Sequence, residues 1–317
     1  LGFDGIESYY YEMEMNERIE GIDYFIKSID TDKYNVSNEI PQLFHEYVEG
    51  YCNILTSGLD YCESDLIDKA IETGLLTKIE ETELSKKDIA NLILEGKDEY
   101  YTPIILDIGC YDGEDSRELA QALYREAVFY CFEADPRNRE LFLTLNEYEG
   151  NLKLNLFGLA LCNKNGQSDF YLSDSDTRRH FHNNKNWSAS SSLKEPNHHL
   201  ELFKDVKFEN KVEVDCMKLD TFYKPELYKK IMLNTGIDFI WCDINGAEED
   251  FILGGLETLQ NHTRYLYIEF SDKELYKGQI TKNKILELLP NFELIGIYNF
   301  PKDLGNFGNL LLKNKTL

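Results

Sequence analysis

The sequence is short of basic residues: 33 Lys and Arg stand against 58 Asp and Glu in 317 residues, a formal net charge of −25. Such an acidic surface repels phosphate backbones, so a nucleic-acid substrate is disfavoured, as are other anionic polymers. No run of about 18 apolar residues occurs, so no membrane span is expected. The chain opens Leu1-Gly2-Phe3-Asp4, with no basic segment leading into an apolar stretch. A signal peptide is therefore not expected, and the missing Met fits a piece of a longer protein. There is no C-x-x-C pair among Cys52, Cys62, Cys110, Cys131, Cys162, Cys216 and Cys242. Scattered cysteines inside apolar runs point to reduced core thiols in a cytoplasmic protein and give no zinc-ligand spacing. Repeats and low-complexity tracts are also missing. What remains is 42% hydrophobic and 29% charged, an ordinary globular balance.

Two regions differ in pattern. Residues 1–100 hold 24 acidic and eight basic residues, a net of −16, and their periodicity is helical. Apolar residues recur at helical spacing from Leu43 to Leu55, behind a start at Ser37, Asn38 and Pro41. A second helix is expected over 64–71. A third is expected to start at Ser85, where Ser85-x-x-Asp88 resembles a capping box, and to stop at Gly96. From Tyr101 to the end, short apolar runs alternate with amphipathic segments. Strands are expected at 103–109, 128–133, 152–157, 212–214, 239–242, 265–270, 293–298 and 310–312. Helices are expected over 114–126 and 139–148. This alternation means βαβ units and a mostly parallel sheet, an α/β fold. The boundary is expected near residues 96–103, giving an acidic helical region 1–100 and an α/β domain 101–317. Segment 173–210 interrupts the alternation. It is polar, holds four of the six histidines and is too long for an ordinary connection.

The chemistry gathers in Asp107-Ile-Gly109-Cys110-Tyr111-Asp112-Gly113, between a strand and a helix. Glycines there allow a tight turn and close backbone approach to a ligand, and the helix start offers free N–H groups. A tight turn with no ligand would look the same. Glu133 ends the next strand, where an acid in a doubly wound fold accepts hydrogen bonds from ribose hydroxyls. Gly158-Leu-Ala160-Leu161 follows the third strand, at a place where the chain packs on adenine. The nicotinamide pattern G-x-G-x-x-G is missing, and Asp107 would repel a pyrophosphate. An amino group and a sulfonium suit it better, which favours S-adenosylmethionine over a nicotinamide dinucleotide.

These stretches resemble the FkbM family of methyltransferases. The matching pieces are Ile105-Leu-Asp107-Ile-Gly109-x-x-Asp112-Gly113, Phe132-Glu133-Ala134-Asp135-Pro136, Gly158-Leu-Ala160-Leu161-x-x-x-x-Gly166 and Ser190-Ser-Ser192-Leu193. Leu219-Asp220, Ile237 through Glu248, and Tyr267-Ile-Glu269 complete the set, which covers about 103–298. The resemblance implies a class I (Rossmann-like) methyltransferase fold with a seven-stranded, mostly parallel sheet. It implies O-methylation of sugars and surface glycans, or of polyketide-type natural products. It places Asp107, Gly109, Asp112 and Gly113 at the methionine end of S-adenosylmethionine, together with Cys110 and Tyr111 in the same loop. Glu133 and the adjoining Ala134 go to the ribose and Ala160 to adenine. The chain departs from the family's usual Glu at Asn245 and usual Lys at Trp241, so a metal held at 245 is not expected.

Methyl transfer to an alcohol needs a positioned oxygen and a group to take its proton. Asp243, just past the 239–242 strand, is the first choice for that role and also borders the cofactor. It could instead cap the following helix, whose dipole Glu248 could support. Glu269 on the next strand is the second choice. His182 represents the histidine-rich segment, where His180, His198 and His199 also titrate near neutrality. These could also suggest a metal, though solvated loop histidines are commoner. Phe181 and Trp187 could stack on a sugar or pin the loop. Residues 1–100 lie outside the resemblance and could form a dimerisation element, a lid or a link to other glycan-assembly domains. A non-catalytic scaffold with a degenerate site is the competing reading, opposed by the intact Asp107, Gly109, Gly113 and Glu133.

Overall fold

The computed structural model describes residues 34–36, 69–70, 73, 76–78, 84–146, 153–175, 187–223, 236–299 and 307–317. The chain divides into two compact units, Leu1–Glu80 and Glu81–Leu317. In the first, strands β1 (Tyr34–Val36) and β2 (Leu76–Lys78) pair antiparallel, with Tyr34 opposite Lys78. The first hundred residues are therefore not helical throughout. The helix expected behind Ser37 lies outside the described residues, as does most of the one expected over 64–71.

The second unit starts earlier than the 96–103 boundary expected from composition. Helix α1 (Lys86–Leu94) belongs to it, because its apolar face is sequestered there: Ile89, Ala90 and Ile93 are buried in the same core as Leu119, Phe239 and Tyr265. Ser85 caps the helix by accepting the Asp88 N–H at 3.1 Å. Arg264 donates to the free carbonyls of Ile93 and Glu95 at its other end, both at 3.0 Å.

The seven-stranded sheet is built from β3 (Ile104–Ile108), β4 (Val128–Phe132), β5 (Leu154–Phe157), β9 (Ile237–Cys242), β10 (Thr263–Ser271), β11 (Phe292–Asn299) and β12 (Phe307–Asn314). Their order is β11-β12-β10-β9-β3-β4-β5. Strand β12 runs antiparallel to both neighbours and the remaining pairs are parallel. Strict alternation feeds two cores. Ile104, Leu106, Ile108, Ile240, Cys242 and Ile268 enter one face, while Ile105, Phe129, Phe239, Trp241 and Tyr267 enter the other. Helix α2 (Glu114–Leu123) covers the second face through Leu119 and Leu123. Helix α3 (Pro136–Asn146) starts three residues before the expected position, with Pro136 in its first turn.

Within segment 173–210, the described residues 173–175 and 187–210 are structured, contrary to their polar look. Strands β6 (Ala160–Leu161), β7 (Gly166–Ser175) and β8 (Val206–Met217) form a second sheet in the order β6-β8-β7. The expected strand 212–214 is the middle of β8, which pairs antiparallel with β7 rather than joining the main sheet. Between them, 188–192 bridges back onto β7, with Tyr171 opposite Ser192. A short helix α4 (His199–Leu202) precedes β8. After β8 come α5 (Leu219–Phe222) and, past β9, α6 (Glu248–Gly254) and α7 (Leu256–His262). Helix α8 (Lys282–Leu288) follows β10. No described helix is long and apolar enough to cross a membrane.

The amino ends of β3 and β9 are tied by one buried carboxylate. Asp238 accepts the Ile104 N–H at 3.0 Å and the Tyr101 hydroxyl at 2.8 and 2.9 Å. Asp238→Ala leaves those donors unmet and is expected to lower stability by about 1–3 kcal/mol, read from urea unfolding. An unchanged midpoint would show that water replaces the carboxylate at no cost.

Candidate active site

The chain winds outward in opposite directions from the centre of the sheet: β3 to β4 to β5 on one side, β9 to β10 on the other. A crevice must open at their carboxyl ends, where ligands bind in such sheets. A cavity of about 210 Å³ lies there, between the β3 loop, the end of β4, the start of β6 and the turn after β9. Among the expected cofactor residues, Asp107, Gly109, Tyr111, Glu133, Ala134, Ala160 and Asp243 line it.

Cys110, Asp112 and Gly113 do not line it but shape the loop. Gly109 and Cys110 both donate to the Phe132 carbonyl, at 2.9 and 3.1 Å. Gly109 has φ of 84°, and a Cβ on it would lie 1.8 Å from the Asp243 carbonyl oxygen. Only glycine fits there. Tyr111 also takes a positive φ, 52°, which is strained for a side chain of its size. The Asp112 carboxylate accepts the Glu114 N–H at 3.0 Å, and its carbonyl accepts Arg117 Nη1 at 2.8 Å. Gly113, with φ of 79°, is the residue from which α2 departs.

Two buried carboxylates face the cavity from adjacent strands. Asp107 accepts the Ser116 hydroxyl of α2 at 2.6 Å. Burial pushes its pKa up to about 7, and the neighbouring carboxylates Asp115 and Asp243 add to the rise. Glu133 accepts the Tyr111 N–H at 2.9 Å and the Asp135 N–H at 2.6 Å, one on each oxygen. Burial raises it to about 8 in spite of those bonds. Asp243 stands at the rim, more exposed than either, and its N–H continues the β3–β9 ladder to the Ile108 carbonyl at 3.0 Å. It does not cap α6, whose N-cap is Ala247. Glu248 is buried and accepts the Gly246 N–H at 3.1 Å.

Glu269 lies outside the cavity lining but beside Asp243. Ile268 is in register with Cys242, so the next residues of β10 and of the chain after β9 are neighbours. Burial and the charges of Asp243 and Glu248 hold Glu269 well above the usual carboxylate range. His182, His180 and Phe181 lie outside the described residues. His198 is exposed and lies 3.2 Å from Glu201. His199 packs among the rings of Phe203, Phe208 and Tyr276. Trp187 donates to Ser190 Oγ at 3.0 Å, so it pins the loop. Among the described residues, no group of three His, Cys, Asp or Glu is placed to hold a metal ion.

Sequence patterns missed the roof. Ser188, Ala189, Ser191 and Leu193 line the cavity from the 187–193 segment. Ser188 Oγ donates to Asn138 Oδ1 at 2.5 Å. Ser191 Oγ receives the Ser173 N–H at 3.0 Å and Arg137 Nη2 at 3.1 Å. Asn245, in the left-handed region at φ 54°, donates to the Ala189 carbonyl at 3.0 Å and accepts Ser192 Oγ on its own carbonyl at 2.7 Å. Only the Ser190–Leu193 piece of the resemblance hinted at this strap.

The Methyltransferase FkbM domain description matches residues 107–299. The chain belongs to the FkbM methyltransferase family. The 2-O-methyltransferase NoeI of Sinorhizobium fredii is 40% identical over 216 residues, 68% of this chain and 81% of that protein. A solved methyltransferase FkbM from Methylobacillus flagellatus KT superimposes with a TM-score of 0.42 at 12% identity, covering 84% of this chain and 60% of that one. The magnesium protoporphyrin IX methyltransferase of Synechocystis PCC 6803, solved with bound SAM, gives 0.39 at 14% identity over 71% of this chain and 76% of that one.

This FkbM protein is a methyltransferase, and its cofactor is S-adenosylmethionine. The cavity's chemistry fits that molecule. Asp107, Asp115, Glu133 and Asp243 line it, and among the described residues no lysine or arginine does. Such walls suit an ammonium, a sulfonium and ribose hydroxyls and would reject a pyrophosphate. Phe132, Leu159, Leu161 and Phe170 give an apolar floor for a purine.

The raised acids have a pH signature. Their unfolded values are near 4, so between about pH 4 and 8 the folded protein holds protons that the unfolded chain has released. Stability is full below about pH 4 on this account and falls as pH rises toward 8. Asp107→Asn and Glu133→Gln should each flatten that slope, by up to about 1.4 kcal/mol per pH unit. Chemical unfolding of the ligand-free protein at pH 5.5, 7 and 8.5 measures it, and identical slopes in variants and parent would refute the buried-acid account.

Proposed function

We propose that this enzyme methylates a hydroxyl group of a sugar during glycan or polysaccharide assembly, in the cytoplasm. The observation that carries this reading is Asp243: a carboxylate at the cavity rim, on the carboxyl edge of the central strand, lining the same cavity as Asp107 and Glu133. The 40% identical relative is named a 2-O-methyltransferase, which supports oxygen as the acceptor atom. The overall charge of −25 fits a neutral acceptor better than a phosphorylated one.

In this reading Glu133 receives the ribose hydroxyls on lone pairs left over from its two backbone bonds. Ala134 and Ala160 leave room beside it for the purine. Asp107, reached from above by the loop of Gly109 to Gly113, faces the amino group. Bound there, S-adenosylmethionine supplies a methyl group made electrophilic by its sulfonium. Asp243 holds the acceptor hydroxyl in line and takes its proton as the new carbon–oxygen bond forms. Glu269 lies beside it but does not line the cavity, so the accepting role falls to Asp243. The strap 187–193 closes the cavity over the reacting centre and excludes water.

The test has two stages. Calorimetry with S-adenosylhomocysteine and with NAD should show binding of the first alone, lost in Asp107→Ala and Glu133→Ala. Methyl transfer from labelled donor to a panel of neutral mono- and oligosaccharides should then give an alkali-stable ether. Asp243→Asn should lower kcat by about 10²–10⁴ while changing cofactor affinity by no more than a few fold. Turnover that survives Asp243→Asn would remove this residue from the chemistry, and binding without transfer to any sugar would overturn the acceptor class.

A further inference from the structure

Helix α1 precedes the segment that matches the family, yet it reaches the cofactor cavity. Lys86 Nζ lies 2.6 Å from Asp115 Oδ1, 3.7 Å from Glu118 Oε2 and 4.5 Å from the centre of the Trp241 ring. Asp115 and Trp241 both line the cavity, at the end where Asp107 stands. The Lys86 side chain is largely covered, at 16% exposure, so its position is set by packing and not by a loose surface pair. The helix that carries it is fixed at both ends. Near its start the Leu84 N–H meets the Tyr267 hydroxyl at 3.4 Å, and at its end Arg264 holds the Ile93 and Glu95 carbonyls.

We propose that Lys86 is a positioning residue of the cofactor site: its ammonium, clamped between Asp115 and the indole of Trp241, supplies a counter-charge behind the carboxylates that line the cavity and fixes one wall of it. This rests on the reading that Asp107 faces the amino group of the cofactor. Burial raises Asp107, and the like charges of Asp115 and Asp243 add to the tendency to keep its proton. A protonated Asp107 cannot pair with an ammonium. Lys86 acts on that equilibrium from α1, favouring the charged form. The other groups around Asp107 are Asp115 and the Ser116 hydroxyl on α2, Asp243 after β9, Cys110 in the loop, and Cys131 and Cys242 on the neighbouring strands. The two aspartates oppose its ionisation, and Ser116 and Lys86 favour it. The cation–π contact orients Trp241 at the same time.

S-adenosylhomocysteine binding, measured by calorimetry between pH 5.5 and 8.5, separates the possibilities. In the parent protein affinity should rise with pH through about 7, as Asp107 ionises. In Lys86→Met and in Lys86→Gln, which keeps a polar tip, that midpoint should move up by about half a unit at most, because burial is the larger influence on Asp107. Binding at pH 7 should then weaken by roughly 1.5- to 2-fold. Lys86→Arg should restore the parent profile, which a merely structural loss of α1 packing would not predict. Thermal melts check that each variant is folded. The proposal is overturned if either neutral variant keeps the parent's affinity and midpoint, or if weakening is the same at every pH and Arg fails to rescue it. A parent protein that does not bind S-adenosylhomocysteine at all would instead sink the cofactor placement on which it rests.

Discussion

The approach of two backbones at the centre of the sheet governs this structure. Gly109, leaving β3, and Asp243, leaving β9, come so close that no side chain fits between them. That contact sets where the strand order reverses and therefore where the crevice opens. It also decides what the crevice contains. Asp107 sits two residues before Gly109, and Glu133 is brought level by the bonds from Gly109 and Cys110 to the end of β4. Asp243 takes its place at the rim because its own carbonyl forms part of the contact. Three carboxylates from three strands converge on the one cavity.

Convergent negative charge is unfavourable in a ligand-free protein. Burial is the main cause of the raised pKa values of Asp107, Glu133 and Glu269, and neighbouring carboxylates add to it. A cationic ligand with hydroxyl groups relieves it, and an anionic one aggravates it. The carboxylates that line the pocket thus favour a cationic ligand over an anionic one. The nearest compensation comes from Lys86, one layer behind the wall.

Much of this was legible in the chain. The parallel core could be read because β3, β4, β9 and β10 are apolar on both faces, and the loop because Asp107, Gly109 and Gly113 stand at fixed offsets after a strand. Glu133 was readable for the same reason. The second sheet was not, because β7 and β8 are half-exposed and rich in Asp, Glu, Lys and Asn, so their alternation is faint. The serine strap was hidden for a different reason: Ser188 and Ser191 are functional through partners at Asn138, Arg137 and Ser173, which lie far off in sequence. Helix α1 was readable from Ser85 and Asp88, but its allegiance was not. Charge composition grouped it with the acidic region, whereas its buried Ile89 and Ile93 place it with the sheet.

The order of the central strands also has a consequence for biosynthesis. Strand β3 pairs with β9, and the register joins Ile105 to Phe239. The chain between them spans well over a hundred residues and includes the whole of the second sheet. During translation β3, β4 and β5 emerge first and can pair with each other, but β3 then presents an unpaired, mostly apolar edge until β9 leaves the ribosome. For many seconds the nascent chain offers the surface most prone to mispairing in the molecule. The acidic segment that precedes it is already outside by then, and its net charge of −16 would keep neighbouring nascent chains apart while the sheet waits for its centre.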